Sequence, residues 1–198
     1  MLKMAPILRP GPVTFLVCRG QRVRGMPSLA SPNSHTCGPR LWLLKLVDAL
    51  IKAMIALLQR VSAASVTVDG EAVAQIGRGL LVLVAVHRDD EERDIARLAE
   101  RILSYRVFPD AEDRMNRSLL DEGLGLLLVP QFTLAADTKK GTRASFTRAA
   151  PPEKGEAFFE RLVAACRERL ETVETGRFGA NMQVTLTNDG PVTFWLES

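Results

Sequence analysis

Histidine is nearly missing from this chain: His35 and His87 are the only two, and cysteine stops at three, Cys18, Cys37 and Cys166. That scarcity excludes a Cys/His zinc site, because neither residue type recurs at ligand spacing. It also excludes a disulfide framework, and the remaining thiols suit a reducing cytosol. A nucleophilic hydrolase would need a Cys–His pair or a serine elbow, and the chain has neither. Ser62, Ser65, Ser104, Ser118 and Ser145 have no evident base. His87 ends an apolar strand beside Arg88 and Asp89, where a surface histidine is a simpler reading than a catalytic one. Long apolar runs are absent too. Val13 to Val17 is too short for a membrane span or a signal peptide.

Acidic residues are almost lacking in the first 53 positions, where Asp48 faces eight Lys or Arg. The other 145 residues hold 18 basic and 22 acidic side chains, so the net charge of +3 belongs to the leader. The basic pI is therefore no argument that the rest of the chain binds RNA. Pro10, Pro12, Pro27, Pro32 and Pro39 break any long periodic element in the leader. Only Leu41 to Ala53 has helical spacing, with Leu43, Leu46, Val47 and Leu50 on one side. An Arg-rich transit peptide fits this composition. A stretch upstream of a functional start at Met54 is the preferred reading, with residues 1–53 an extension and 54–198 the domain. The leader also carries Gly11-Pro12-Val13-Thr14-Phe15, a copy of Gly190 to Phe194 with unrelated flanks, and no physical reason for it is evident.

From Ile55 onward the pattern is that of a mixed α/β domain. Ile55 to Val61 is a mostly apolar strand, and Asp69-Gly70 is a tight turn between strands 65–68 and 71–76. Leu80 to Val86 and Gly125 to Val129 are continuously apolar, as strands buried on both faces are. A helix capped by Asp89 or Asp90 turns Ile95, Leu98, Ala99, Ile102 and Leu103 inward. A second, started by Pro151 or Pro152, does the same with Phe159, Leu162, Val163, Cys166 and Leu170. Tyr105 to Phe108, Thr172 to Phe178, Met182 to Thr187 and Val192 to Leu196 complete the strands. Asp137 to Ala149 is polar, basic and irregular, a mobile loop by composition. Strands outnumber helices, and two helices are enough to cover one sheet face.

Two short stretches carry the chemistry. Pro130-Gln131-Phe132-Thr133-Leu134 follows a buried strand and puts Gln131 and Thr133 at its end. Asn188-Asp189-Gly190-Pro191-Val192-Thr193 contains a Gly-Pro pair, where a backbone turns abruptly and where a cis bond is commonest.

Together with Met54 through Val61 (Met-Ile-Ala-Leu-Leu-Gln-Arg-Val), these stretches resemble the D-aminoacyl-tRNA deacylases, and the resemblance runs from Met54 to Ser198. It implies a sandwich of two β-sheets plus a helical layer, assembled as a cytoplasmic homodimer with the active site at the subunit interface. It implies hydrolysis of D-aminoacyl-tRNA, and of glycyl-tRNA, because glycine has no side chain to exclude. No cofactor, metal or membrane is implied. Main-chain N–H groups around Phe132 and Thr133, beside Gln131, would bind the oxyanion. The free 2′-hydroxyl of the terminal ribose would organise the attack. Thr133 is either a nucleophile or a structural strand residue. A cis Gly190–Pro191 pair would enter the partner's pocket and exclude L-amino acids, with Arg60 holding it across the interface. Phe178 and Met182 either sandwich the terminal adenine or are core residues. The family usually has Ser where this chain has Pro130. That departure implies weakened catalysis and motivates a rival reading, a tRNA-binding homologue with reduced activity. A plain dimeric scaffold would leave the Gln-Phe-Thr and Gly-Pro motifs unexplained.

Overall fold

The computed structural model describes residues 53–139 and 141–198, so the readings made for residues 1–52 lie outside the described residues. In chain order the elements are β1 (Ile55–Val68), β2 (Glu71–Ile76), β3 (Gly79–Ala85), α1 (Glu92–Ser104), β4 (Phe108–Pro109), β5 (Met115–Arg117), α2 (Leu119–Glu122), β6 (Gly125–Pro130), a 3-10 turn (Phe132–Ala135), α3 (Pro152–Arg167), β7 (Val173–Thr175) and β8 (Met182–Glu197).

Six strands form the main sheet in the order β2-β1-β3-β6-β7, with β8 on the other edge of β1; β4 and β5 form a small second sheet. The long β1 organises the set. Its first half pairs with β3, its second half with β2, and its whole length with β8, all antiparallel. The sequence suggested breaks in both long strands. Each instead runs through as one strand: Ala63 and Ala64 pair with Thr187 and Leu186, while residues 189–192 have no β1 partner and bulge out within β8. Asp69 and Gly70, with φ of 51° and 86°, make the left-handed turn that joins β1 to β2.

β3 and β6 are parallel neighbours, Val84 opposite Pro130. Leu80, Val82, Val84, Leu126 and Leu128 face one core with Ile95, Leu98, Ile102, Phe159, Leu162 and Val163 of the two longer helices. Leu81, Leu127 and Val129 face a second core with Val61, Val66 and Ile76. Burial on both faces is why these strands are continuously apolar. All five α1 positions expected inside are buried, and α3 adds Phe158.

Some boundaries differ from the expectation. The cap of α1 is Glu91, whose N–H donates to Asp94 Oδ2 at 2.7 Å, and Asp90 is buried beneath it. β7 is confined to three residues, which pair with Leu126, Leu127 and Leu128 of β6.

Candidate active site

Gln131 ends the β6 ladder by donating its main-chain N–H to Val84 O at 2.7 Å. The chain then tightens into the 3-10 turn, where Leu134 N–H donates to Gln131 O and Ala136 N–H to Thr133 O, both at 3.2 Å. The first N–H groups of a helical turn have no earlier carbonyl to bond. Accordingly, among the described residues, the N–H groups of Phe132 and Thr133 have no main-chain partner. Gln131 Nε2 donates to Thr133 Oγ1 at 2.5 Å. A neutral amide donor cannot take a proton from that hydroxyl, so the contact orients Thr133 without activating it as a nucleophile. The chemically useful groups here are therefore main-chain donors.

A cleft of about 420 Å³ opens beside this turn. Pro130, Gln131 and Phe132 line one side, and Phe178 and Met182 another. Five residues singled out in the sequence thus share one mostly apolar cavity, with Thr133 adjacent. Val86, Pro152, Gly155 and Phe159 also line it. The sequence marked Phe159 only as core and assigned no cleft role to the other three. Apolar strand and helix residues look the same whether they face a core or a cavity, so no signal distinguished them.

Arg60, Gly190 and Pro191 lie elsewhere on this chain. Val61 pairs with Asn188 and Gln59 with Thr193, so residues 189–192 bulge out opposite Arg60 alone. The Gly190–Pro191 bond inside the bulge is cis. Asn188 closes its base, Oδ1 accepting Val192 N–H at 2.8 Å and Nδ2 donating to Val192 O at 3.0 Å. Arg60 Nε donates to Asp189 O at 2.9 Å, and Nη1 donates to Val107 O at 2.6 Å. Within its own chain, Arg60 thus holds the bulge.

The model of the family described as D-Tyr-tRNA(Tyr) deacylase matches residues 57–197. The chain belongs to that family. A D-aminoacyl-tRNA deacylase of Alkalilimnicola ehrlichii is 65% identical over 145 residues, covering 73% of this chain and 97% of the relative. One from Escherichia coli is 54% identical over 144 residues, covering 73% and 99%. Among solved structures, a c-Myc DNA unwinding element binding protein is 40% identical with a TM-score of 0.70, covering 73% of this chain and 98% of its own.

One feature outside the family motifs corrects the sequence reading. His87 is not on the surface: it is 9% exposed, and its main chain bridges Ala149. Its N–H donates to Asp90 Oδ2 at 2.6 Å. Burial, and then the Arg148 guanidinium, push the imidazole below its usual range. Asp90 is 3% exposed, and its Oδ1 has no partner among the described residues. Burial raises its pKa to about 6, although the His87 N–H pulls the other way. Lys154 Nζ donates to the carbonyls of Arg88 and Asp90, each at 2.7 Å. This knot anchors the strand end next to Val86 on the cleft wall. Cys166 is buried and its thiol is pushed up to about 12, which leaves it inert. Among the described residues there is no metal-ligating cluster and no helix long and apolar enough to cross a membrane.

Proposed function

We propose that this protein hydrolyses the ester bond of D-aminoacyl-tRNA, releasing the free D-amino acid and tRNA. The observation that carries the reading is the unpaired N–H pair of Phe132 and Thr133 at the rim of an apolar cleft. Preorganised donors of this kind stabilise the oxyanion of an ester's tetrahedral intermediate without reorganising. Water attacks the carbonyl carbon, the carbonyl oxygen takes up the negative charge, and the C–O bond to ribose breaks. The proton lost by water ends on the ribose oxygen. With no side-chain base at Thr133, the neighbouring ribose hydroxyl positions the water. The terminal adenine sits between the Phe178 ring and the Met182 thioether.

Selectivity is assigned to the Gly190–Pro191 carbonyls of a second copy of the chain. Placed over the cleft, they leave room for the α-hydrogen of a D residue and collide with an L side chain. Glycine passes the same filter, so glycyl-tRNA is a substrate too. The assembly is a cytoplasmic homodimer with its active sites at the interface, and residues 54–198 are the functional domain.

Pro130 favours a second reading, a tRNA-binding homologue with reduced catalysis, because it supplies no hydroxyl at the cleft. Incubation with D-tyrosyl-tRNA and L-tyrosyl-tRNA decides between them. Rapid hydrolysis of the D ester alone supports the deacylase. Retention of tRNA without hydrolysis supports the binding homologue.

A further inference from the structure

Phe132 and Phe146 are 58% and 43% exposed, yet their rings lie 5.2 Å apart at 56° to one another. Two large apolar rings tilted against each other at the surface, rather than sunk into a core, leave ring area open to solvent. Phe146 is carried by the loop after the 3-10 turn. That loop is pinned where Asp137 N–H donates to Ser145 O at 2.7 Å and Ser145 N–H to Asp137 O at 3.1 Å. Between residues 137 and 149 the sequence has Lys139, Lys140, Arg143 and Arg148 against Asp137 as the only acid. Arg148 lies 4.0 Å from Asp137. Lys139 and Arg143 are exposed and have no ion-pair partner among the described residues.

Exposed aromatic rings flanked by free cations are how proteins hold single-stranded nucleic acid. The rings stack on bases whatever their identity, and the cations track the phosphates. An amino-acid side chain would supply no phosphate for Lys139 and Arg143, whereas a nucleotide chain supplies both partners. Phe132 belongs to the cleft and to this pair at once, so a strand leaving the cleft meets the pair next.

We propose that the Phe132–Phe146 pair and its basic loop are a docking platform for the single-stranded 3′ tail of the tRNA. They seat the nucleotides that precede the terminal adenosine. The proposal rests on the deacylase reading for the identity of the RNA.

The test compares D-tyrosyl-tRNA with D-tyrosyl-adenosine, which has the same reacting ester and no tail. Phe146→Ala should raise KM for the tRNA about tenfold or more, the loss of one stacked base. It should leave kcat on the tRNA and both constants on D-tyrosyl-adenosine unchanged, and Phe146→Trp should restore the tRNA KM. Arg143→Ala should flatten the dependence of log KM on log salt by about 0.7 for the tRNA. Equal losses on both substrates would reduce Phe146 to a prop for Phe132 and overturn the platform; so would no loss on either. If wild type cleaves neither ester, the deacylase reading falls by itself. The platform is then judged by gel shift of uncharged tRNA, where Phe146→Ala must weaken binding about tenfold.

Discussion

Arg60 lies opposite the Gly-Pro bulge in the β1–β8 pairing and holds Asp189 twice, Nε reaching its main-chain carbonyl at 2.9 Å and its carboxylate at 3.2 Å. The same guanidinium donates to Val107 O. One planar cation therefore ties the bulge to the chain that leads into β4. Asn188 closes the bulge from inside and Arg60 from below, so residues 190 and 191 project from a clamped base.

Arg60→Ala should destabilise the protein by about 2–3 kcal/mol, because two part-buried carbonyls lose a charged donor. Arg60→Lys should recover less than half, since an ammonium cannot reproduce the fork. Asp189→Asn keeps the carbonyl contact and removes only a half-exposed ion pair, so it should cost under about 1 kcal/mol. Urea unfolding of the three variants checks the ranking. A cost for Asp189→Asn equal to that of Arg60→Ala would put the energy in the ion pair instead.

Gly190→Ala should damage the filter without unfolding the domain. A Cβ at Gly190 would lie 2.4 Å from Val192 N and 2.6 Å from its Cγ2. The bulge must then shift, and the Asn188–Val192 hydrogen bonds shift with it. Parallel assays on D- and L-tyrosyl-tRNA should show lost D activity, lost discrimination, or both. An unchanged D/L ratio at full D activity would move the filter away from this bulge.

Asp90 should give the stability an acid-side slope. Its folded pKa of about 6 lies above its ordinary 3.8, so between these values the folded state holds more protons than the unfolded one. Its contribution is complete below about pH 4 and is lost as the pH rises through about 6. His87, with a lowered pKa, acts oppositely: stability from it is complete above its ordinary 6.5 and is lost as the pH falls through the depressed value. Asp90→Asn removes the first effect, so its melting temperature relative to wild type should improve from pH 4 to pH 7. A constant difference across that range would mean Asp90 does not titrate there.

The apolar continuity of β3 and β6 was legible because both faces of those strands are buried, and that excludes every reading but a central strand. The inward face of α1 was legible for a similar reason, since five positions at helical spacing have one arrangement. The unbroken length of β1 and β8 was not, because Ala63 is paired with Thr187 and Asp189 is held by Arg60, partners more than a hundred residues away. His87 misled for a related reason. Its neighbours Arg88 and Asp89 are polar, and what buries it is the return of the chain at Ala149. At the candidate site, Gln131 and Phe132 were singled out through a motif and Phe178 and Met182 through the family resemblance, and one cleft brings the four together. Phe146 was missed, because nothing in a basic loop announces that the ring of one of its residues lies against a motif residue's.

Deleting residues 1–53 should leave folding and deacylation intact. Met54 is fully buried, and its main chain exchanges hydrogen bonds with Ser198, N–H to Oγ and carbonyl to N–H, both at 3.1 Å. A chain starting at Met54 keeps that side chain and both contacts. Its melting temperature should stay within about 2–4 °C of the full chain's, the effect of roughly 1 kcal/mol in a domain of this size. A larger fall, or loss of hydrolysis, would put the domain boundary upstream.

Pro130→Ser should raise kcat on D-tyrosyl-tRNA about tenfold and leave KM unchanged, and the source of the gain can be traced. Main-chain N–H groups alternate sides along a strand. Gln131 N–H points at Val84 on β3, so the N–H of a residue at 130 points the other way, towards the chain after β7. Consistent with this, Pro130 Cδ lies 3.5 Å from where a Cβ of Gly176 would be. The N–H that serine restores would therefore join the sheet and not the oxyanion. The useful addition is the hydroxyl, because residue 130 lines the cleft. One neutral hydrogen bond made in the transition state is worth about 1 kcal/mol, or somewhat under tenfold, and more where water is excluded. Pro130→Ala separates the two contributions, since it returns the N–H alone and should leave kcat where it is. If alanine accelerates as much as serine, the main-chain donor matters after all. If neither does, the strand end has adapted to proline and the oxyanion site is complete without residue 130.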